Sequence, residues 1–128
     1  MGLRTRAKLI EFGYVPAPPL VAEKLKLKPG ATVQRAVRVR YHENVPFSHL
    51  TTYLPEDIGK QCDEQELSET PLLLLMERAG IKVTSADQSV SAKLADTMVA
   101  PLLEIETGSP LLWVKRTVSD QSDRPVEY

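Results

Sequence analysis

The stretch from Val33 to Leu54 constrains this chain more than any other. From Val33 to His42 apolar and polar side chains alternate. Val33, Val37, Val39 and Tyr41 fall on one face and Gln34, Arg38, Arg40 and His42 on the other, with only Arg35 and Ala36 out of step. A period of two is the pattern of a half-buried β-strand. Glu43-Asn44 follows, and Asn tolerates the positive φ that a tight hairpin turn demands, so Pro46 to Leu54 reads as the return strand. A two-residue turn sets Arg38 opposite His49 and Arg40 opposite Phe47. A three-residue turn including Val45 sets Arg38 opposite Leu50 and Arg40 opposite Ser48. The sequence does not choose between them, and the shorter turn is the working expectation. In either register Arg38 and Arg40 leave one face with their roots roughly 7 Å apart. Two guanidinium groups so placed can clamp one anion. The competing reading is a solvated polar face, the usual fate of such residues on an antiparallel strand.

Around this hairpin the chain reads as a succession of short elements. Leu3, Ala7 and Ile10 are spaced as on a helix, and Gly13 is a stop signal, so a short helix is expected over Leu3 to Phe12. The prolines between Tyr14 and Pro19 favour extended chain, and Pro18-Pro19 opens a helix that runs to Leu25 before the turn Lys28-Pro29-Gly30. Pro55 to Gly59 reads as one helical turn, and the acidic run Cys62 to Glu69 as a loop or short exposed helix. Thr70-Pro71 ahead of Leu72 to Gly80 predicts a helix with a capping Thr, Pro at its first position and Gly at its end. Ile81 to Lys93, rich in β-branched and small polar residues, predicts a long strand carrying Gln88, Ser89 and Ser91.

The last third repeats the first. Shifted by 78 residues, Leu20 to Gly30 lies over Met98 to Gly108, with apolar positions and the glycine coinciding. The same register sets Val33 on Leu111 and Arg38 on Arg116, and one insertion then sets Val45-Pro46 on Arg124-Pro125. Each half is therefore expected to run helix, Gly turn, strand, turn, return strand. The second return strand should begin near Val126 and match Pro46 to Leu54 in length, yet the sequence stops at Tyr128. A closing strand to pair with Leu111 to Ser119 is accordingly expected to be absent from the chain.

Length and an apolar fraction of 42% fit one domain, residues 1–128, with a single core. The net charge is −1, and no basic run of the kind that tracks phosphates is present, so this segment is not expected to bind DNA by itself. No apolar run approaches the roughly 20 residues of a membrane helix, and Met1 to Arg6 lacks a signal-peptide core, which points to a cytoplasmic protein without a membrane partner. Cys62 has acidic neighbours that raise a thiol pKa. His42 and His49 are too few for an ordinary His-based metal site, and neither metal nor cofactor is expected. No phosphate loop or nucleophile elbow occurs. Arg38, Arg40, His49 and Ser91 are the candidate set for a ligand pocket, with His49, if it faces Arg38, held neutral and able to hydrogen-bond a ligand.

The order of Val37-Arg-Val-Arg-Tyr41, Tyr53-Leu-Pro55, the apolar Leu72 helix and Arg124-Pro-Val-Glu-Tyr128 resembles the UTRA effector-binding domain of GntR-type transcription repressors of the HutC subfamily, over nearly the whole chain. The resemblance implies a chorismate lyase-like α+β fold, an antiparallel sheet with surrounding helices. It implies a homodimeric domain that binds a small anionic metabolite rather than catalysing a reaction, and that contacts DNA only through a winged helix-turn-helix absent from this chain. Arg38 and Arg40 match the family's anion-binding arginines, and Glu127 matches a glutamate of its terminal strand. The family often has a further glutamate three residues before the tyrosine of Tyr-Leu-Pro. Here that position is Leu50, so a sugar phosphate is not assumed. An enzyme of chorismate lyase type and a ligand-free dimerisation module are the competing expectations.

Overall fold

The computed structural model describes residues 5–128. In chain order the elements are β1 (Thr5–Pro16), α1 (Pro19–Leu25), β2 (Thr32–His42), β3 (Val45–Pro55), α2 (Glu56–Gly59), α3 (Glu64–Glu69), α4 (Leu72–Arg78), β4 (Val83–Leu94), α5 (Val99–Leu103), β5 (Pro110–Asp120) and β6 (Pro125–Glu127). They form two antiparallel three-stranded sheets, ordered β1-β2-β3 and β4-β5-β6.

The central hairpin forms as expected, but its register combines the two alternatives. Glu43 and Asn44 both have positive φ, 49° and 68°, which makes a two-residue turn with His42 opposite Val45. A bulge between Arg40 and Tyr41 then gives β3 one extra residue, Phe47. Beyond it Arg40 stands opposite Ser48 and Arg38 opposite Leu50. The short turn is right at the loop, while the expected pairings of Arg38 with His49 and Arg40 with Phe47 are corrected.

The first element is a correction of type. Thr5 to Pro16 is a strand paired along β2, not a helix, and Leu3 lies outside the described residues. A bulge between Leu9 and Glu11 shifts the alternation by one residue. Leu9 and Phe12, opposite Arg38 and Ala36, therefore share a face at a spacing of three, which is also a helical spacing. At α4, Pro71 occupies the N-cap position and its carbonyl accepts from Leu74 and Leu75, while Thr70 ends α3 instead of capping α4. The acidic run resolves into a capped helix, Asp63 accepting from the Glu66 N–H while the Glu66 carboxylate accepts from Asp63 N–H.

The internal repeat extends further than the sequence match. The 78-residue shift maps β1 on β4 and β2 on β5, end to end. Lys26 and Glu104 are both left-handed helix caps, with φ of 55° and 56°, and Gly30 and Gly108 take φ of 78° and 90°. Ala17 N–H donates to Ala31 O at 2.7 Å, and Ala95 N–H to Ser109 O at 2.8 Å. The bulge at Arg40/Tyr41 recurs at Val118/Ser119. The halves meet where β3 adjoins β6. There Tyr53 and Tyr128 exchange both backbone hydrogen bonds, at 2.8 and 3.0 Å, and Arg124 grips Asp57 with two bonds of 2.6 and 2.9 Å.

Two cores lie on opposite faces. Ala36, Leu54, Ile58, Leu67, Leu75, Met76, Val118 and Val126 pack α2 to α4 against one face, with residues from both halves. Val21, Ala22 and Leu25 pack α1 against Val33, Tyr53 and Tyr128 on the other. Fully burying side chains such as Leu54 and Met76 contributes about 1.5 to 3 kcal/mol each. By contrast β4 from Thr84 to Ala92 and β5 from Leu112 to Val114 are exposed on both faces, at Val90, Leu112 and Trp113 for example. From Leu111 to Thr117, β5 pairs only with β4 among the described residues, and β6 starts at Pro125, one residue before the expected Val126.

Candidate functional site

Residues directly opposite one another in an antiparallel pair share a face, so the observed register sorts the candidate side chains. Gln34, Ala36, Arg38 and Arg40 share one face of β2, with Leu50 and Ser48 across from the two arginines. On β5 the equivalent face carries Arg116 and Val118, and Glu127 of β6 stands opposite Val118. Ala36 and Val118 belong to one core, which places these two faces on the same side of the molecule.

Arg38 is 7% exposed, and its Nε has no hydrogen-bond partner. No ion pair reaches its guanidinium among the described residues. Burial lowers its pKa; Glu127 opposes that effect and the neighbouring charge of Arg40 adds to it. Burial likewise pushes the Glu127 carboxyl up from its ordinary value, opposed by Arg38 and then Arg116. A buried cation and a half-buried carboxyl thus lie within electrostatic reach of each other without direct contact, an arrangement a ligand with an anionic group can complete. Arg40 is exposed, its guanidinium 5.3 Å from the Phe47 ring centroid.

His49 and Ser91 are placed elsewhere. His49 stands opposite Val39, on the face away from Arg38. Burial lowers its pKa, Asp96 opposing and Lys93 and Arg35 reinforcing. Ser91 is exposed on β4 opposite Trp113, whose ring is flanked by Lys93 at 4.7 Å and Lys115 at 4.2 Å. The structure therefore brings Arg38, Arg40 and Glu127 together on one face and leaves His49 and Ser91 off it.

Two residues were not singled out from the sequence as members of this site. Arg116, the repeat partner of Arg38, adds a third cation to the face and hydrogen-bonds Gln88 at 3.0 Å. The repeat register carried that signal. Gln34 is buried on the strand of Arg38, and its Nε2 donates to Gly59 O at 2.8 Å and Cys62 O at 2.9 Å, fixing α2 and the following turn over the sheet. A Cβ on Gly59 would lie 2.7 Å from Gln34 Cβ, so only glycine allows this approach. Nothing local in the sequence marked it. Cys62 is buried, and burial raises its thiol pKa, reinforced by Glu66 and Asp63. A cleft of about 610 Å³ opens between β1 and α3, lined in part by Ala7 and Leu9, which stand opposite Arg40 and Arg38. Among the described residues no three His, Cys, Asp or Glu side chains gather as a metal site would require, and no helix is long and apolar enough to cross a membrane.

A family model described as the UTRA domain matches residues 1–128. The chain belongs to the UTRA domain family. The ligand-binding domain of a putative GntR-family transcriptional regulator from Bordetella bronchiseptica is 31% identical, with a TM-score of 0.91 over 97% of this UTRA domain and 81% of that chain. The effector domain of PhnF from Mycobacterium smegmatis is 25% identical, with a TM-score of 0.89 over 96% and 76%. The α+β, chorismate lyase-like architecture implied by the sequence resemblance is therefore the fold observed. Among curated proteins, the HTH-type transcriptional regulator Rv0792c of Mycobacterium tuberculosis is 28% identical over 98% of this chain and 47% of its own length. The histidine utilization repressor of Pseudomonas aeruginosa is 28% identical over 90% and 46%. The UTRA domain thus spans about half the length of the curated relatives it matches, and those relatives are transcriptional regulators.

Proposed function

We propose that residues 1–128 form one effector-sensing and dimerisation domain of a cytoplasmic bacterial transcription repressor. In this reading a small anionic metabolite binds at Arg38 and Arg40, beside Glu127, and modulates DNA binding by a winged helix-turn-helix elsewhere in the protein. The observation that carries the reading is the buried Arg38, whose Nε has no hydrogen-bond partner and whose guanidinium joins no ion pair among the described residues. A folded protein rarely leaves a buried charge without a counter-group, and an anionic ligand supplies one. Glu127 then meets a hydroxyl or amine of the same ligand.

Calorimetry against sugar phosphates, organic acids and amino-acid breakdown products identifies the effector. Arg38→Ala and Arg40→Ala should each weaken it at least ~10-fold, and Lys should substitute poorly because a point charge does not reproduce the planar fork. Equal binding by wild type and both variants would sink the clamp. Release of 4-hydroxybenzoate from chorismate would instead establish the enzymatic reading.

A further inference from the structure

On the face opposite the arginines, the two halves present corners of matching backbone and opposite charge. At the end of α1, Lys26 N–H donates to Glu23 O at 3.2 Å and Leu27 N–H to Ala22 O at 2.8 Å. At the end of α5, Glu104 N–H donates to Pro101 O at 3.2 Å and Ile105 N–H to Ala100 O at 3.0 Å. The turns that follow agree as well, Ala31 N–H to Lys28 O and Ser109 N–H to Glu106 O, both at 3.0 Å. Lys26 and Lys28 therefore occupy the places that Glu104 and Glu106 hold in the other half. All four are exposed, and none joins an ion pair among the described residues. Leu20 and Met98, also repeat partners, are 47% and 76% exposed at the starts of the same two helices. Both helices lie on the same side, α1 against Val33 and Tyr53, and α5 against β3 with Asp96 at its start facing His49.

We propose that this α1–α5 face docks a second copy of the chain, about a two-fold axis that sets Lys26 and Lys28 of one copy against Glu104 and Glu106 of the other. The contact is then made twice, as an isologous interface requires. It rests on the dimer reading above and assigns the surface. A face with one basic and one acidic corner meets its own copy favourably about one in-plane axis and unfavourably about the perpendicular one. Charge thus selects the register, while Leu20 and Met98 add apolar contact.

Sedimentation of the chain tests it. Lys26→Glu/Lys28→Glu makes both corners acidic, and Glu104→Lys/Glu106→Lys makes both basic. Each should raise the dimer dissociation constant at least ~10-fold, since four exposed pairs turn from attraction to repulsion. An equimolar mixture should re-form a dimer containing one of each, and the fourfold swap in one chain should restore the homodimer, which also shows that the variants fold. A wild-type dimer insensitive to either pair of substitutions, or failure of the mixture to re-form, overturns the surface and leaves the dimer reading standing. A wild type that stays monomeric at high concentration overturns both, and effector calorimetry on that monomer reads the binding site separately.

Discussion

Replacing Arg38 by Met separates the site's contribution to binding from its cost to folding. The side chain is 7% exposed with an unpartnered Nε, and an unsatisfied buried donor costs about 1 to 3 kcal/mol, which the substitution returns. Glu127, however, loses the cation that most opposes its burial, and the loss of about 3 to 5 kcal/mol on breaking a fully buried pair is an upper bound for two groups not in direct contact. Arg38→Met should therefore destabilise the ligand-free protein at neutral pH by up to about 2 kcal/mol, the difference of those two ranges. The double variant Arg38→Met/Glu127→Gln removes both charges and should end at least as stable as wild type, by up to about 4 kcal/mol. Urea unfolding at pH 7 reads these differences, and a melting scan shows them at about 4 °C per kcal/mol for a chain of this size. Effector binding should fall in both variants, by roughly 10- to 150-fold for one charge-assisted bond of about 1.5 to 3 kcal/mol. If Arg38→Met matches wild type in stability and binding, Arg38 is a solvated residue. If the double variant is no more stable than Arg38→Met, Arg38 and Glu127 are not coupled.

Three further outcomes follow from the same geometry. Burial raises the Glu127 pKa above its ordinary 4.5, so folding favours the protonated form; its contribution to stability is full below the unfolded value and is lost as pH rises through the folded one. Glu127→Gln should flatten that decline in urea unfolding followed upward from about pH 4, and an unchanged slope would show the carboxyl to be solvated. Gly59→Ala places a Cβ 2.7 Å from Gln34 Cβ and should cost about 1 to 3 kcal/mol, seen as a lower melting temperature; wild-type stability would mean that α2 can shift at no cost. Residues 1–128, with net charge −1, should give no gel shift with operator DNA at physiological salt, and a retarded band there would contradict the assignment of DNA binding to another domain.

Much of the fold could be read locally because its signals are local. Asn44 at the hairpin turn, Pro19 at the start of α1 and the β-branched run of β4 each act through their own backbone preferences. The strand β1 lacks such a local signal, because its bulge converts a period of two into an interval of three. The repeat already held the remedy. Moved back by 78 residues, the expected strand Ile81 to Lys93 lands on Leu3 to Val15, so the repeat assigns a strand to that stretch.

The candidate residues are legible in the sequence, but their arrangement is not. Arg38, Arg40 and Glu127 were named from residue pattern and resemblance, yet which of them is buried depends on α2 to α4 covering the sheet, a tertiary fact. Register decided the rest. One extra residue at Phe47 moves Leu50 opposite Arg38 and turns His49 to the far face, because side chains alternate with a period of two. Bulges leave little trace in composition, and here one determines which side chains share the arginine face. The same bulge at Val118/Ser119 sets Glu127 opposite Val118, beside Arg116. An irregularity present in both halves thus brings a carboxyl of the second half into the field of an arginine of the first, and the charged face belongs to the joint between the repeats rather than to either one.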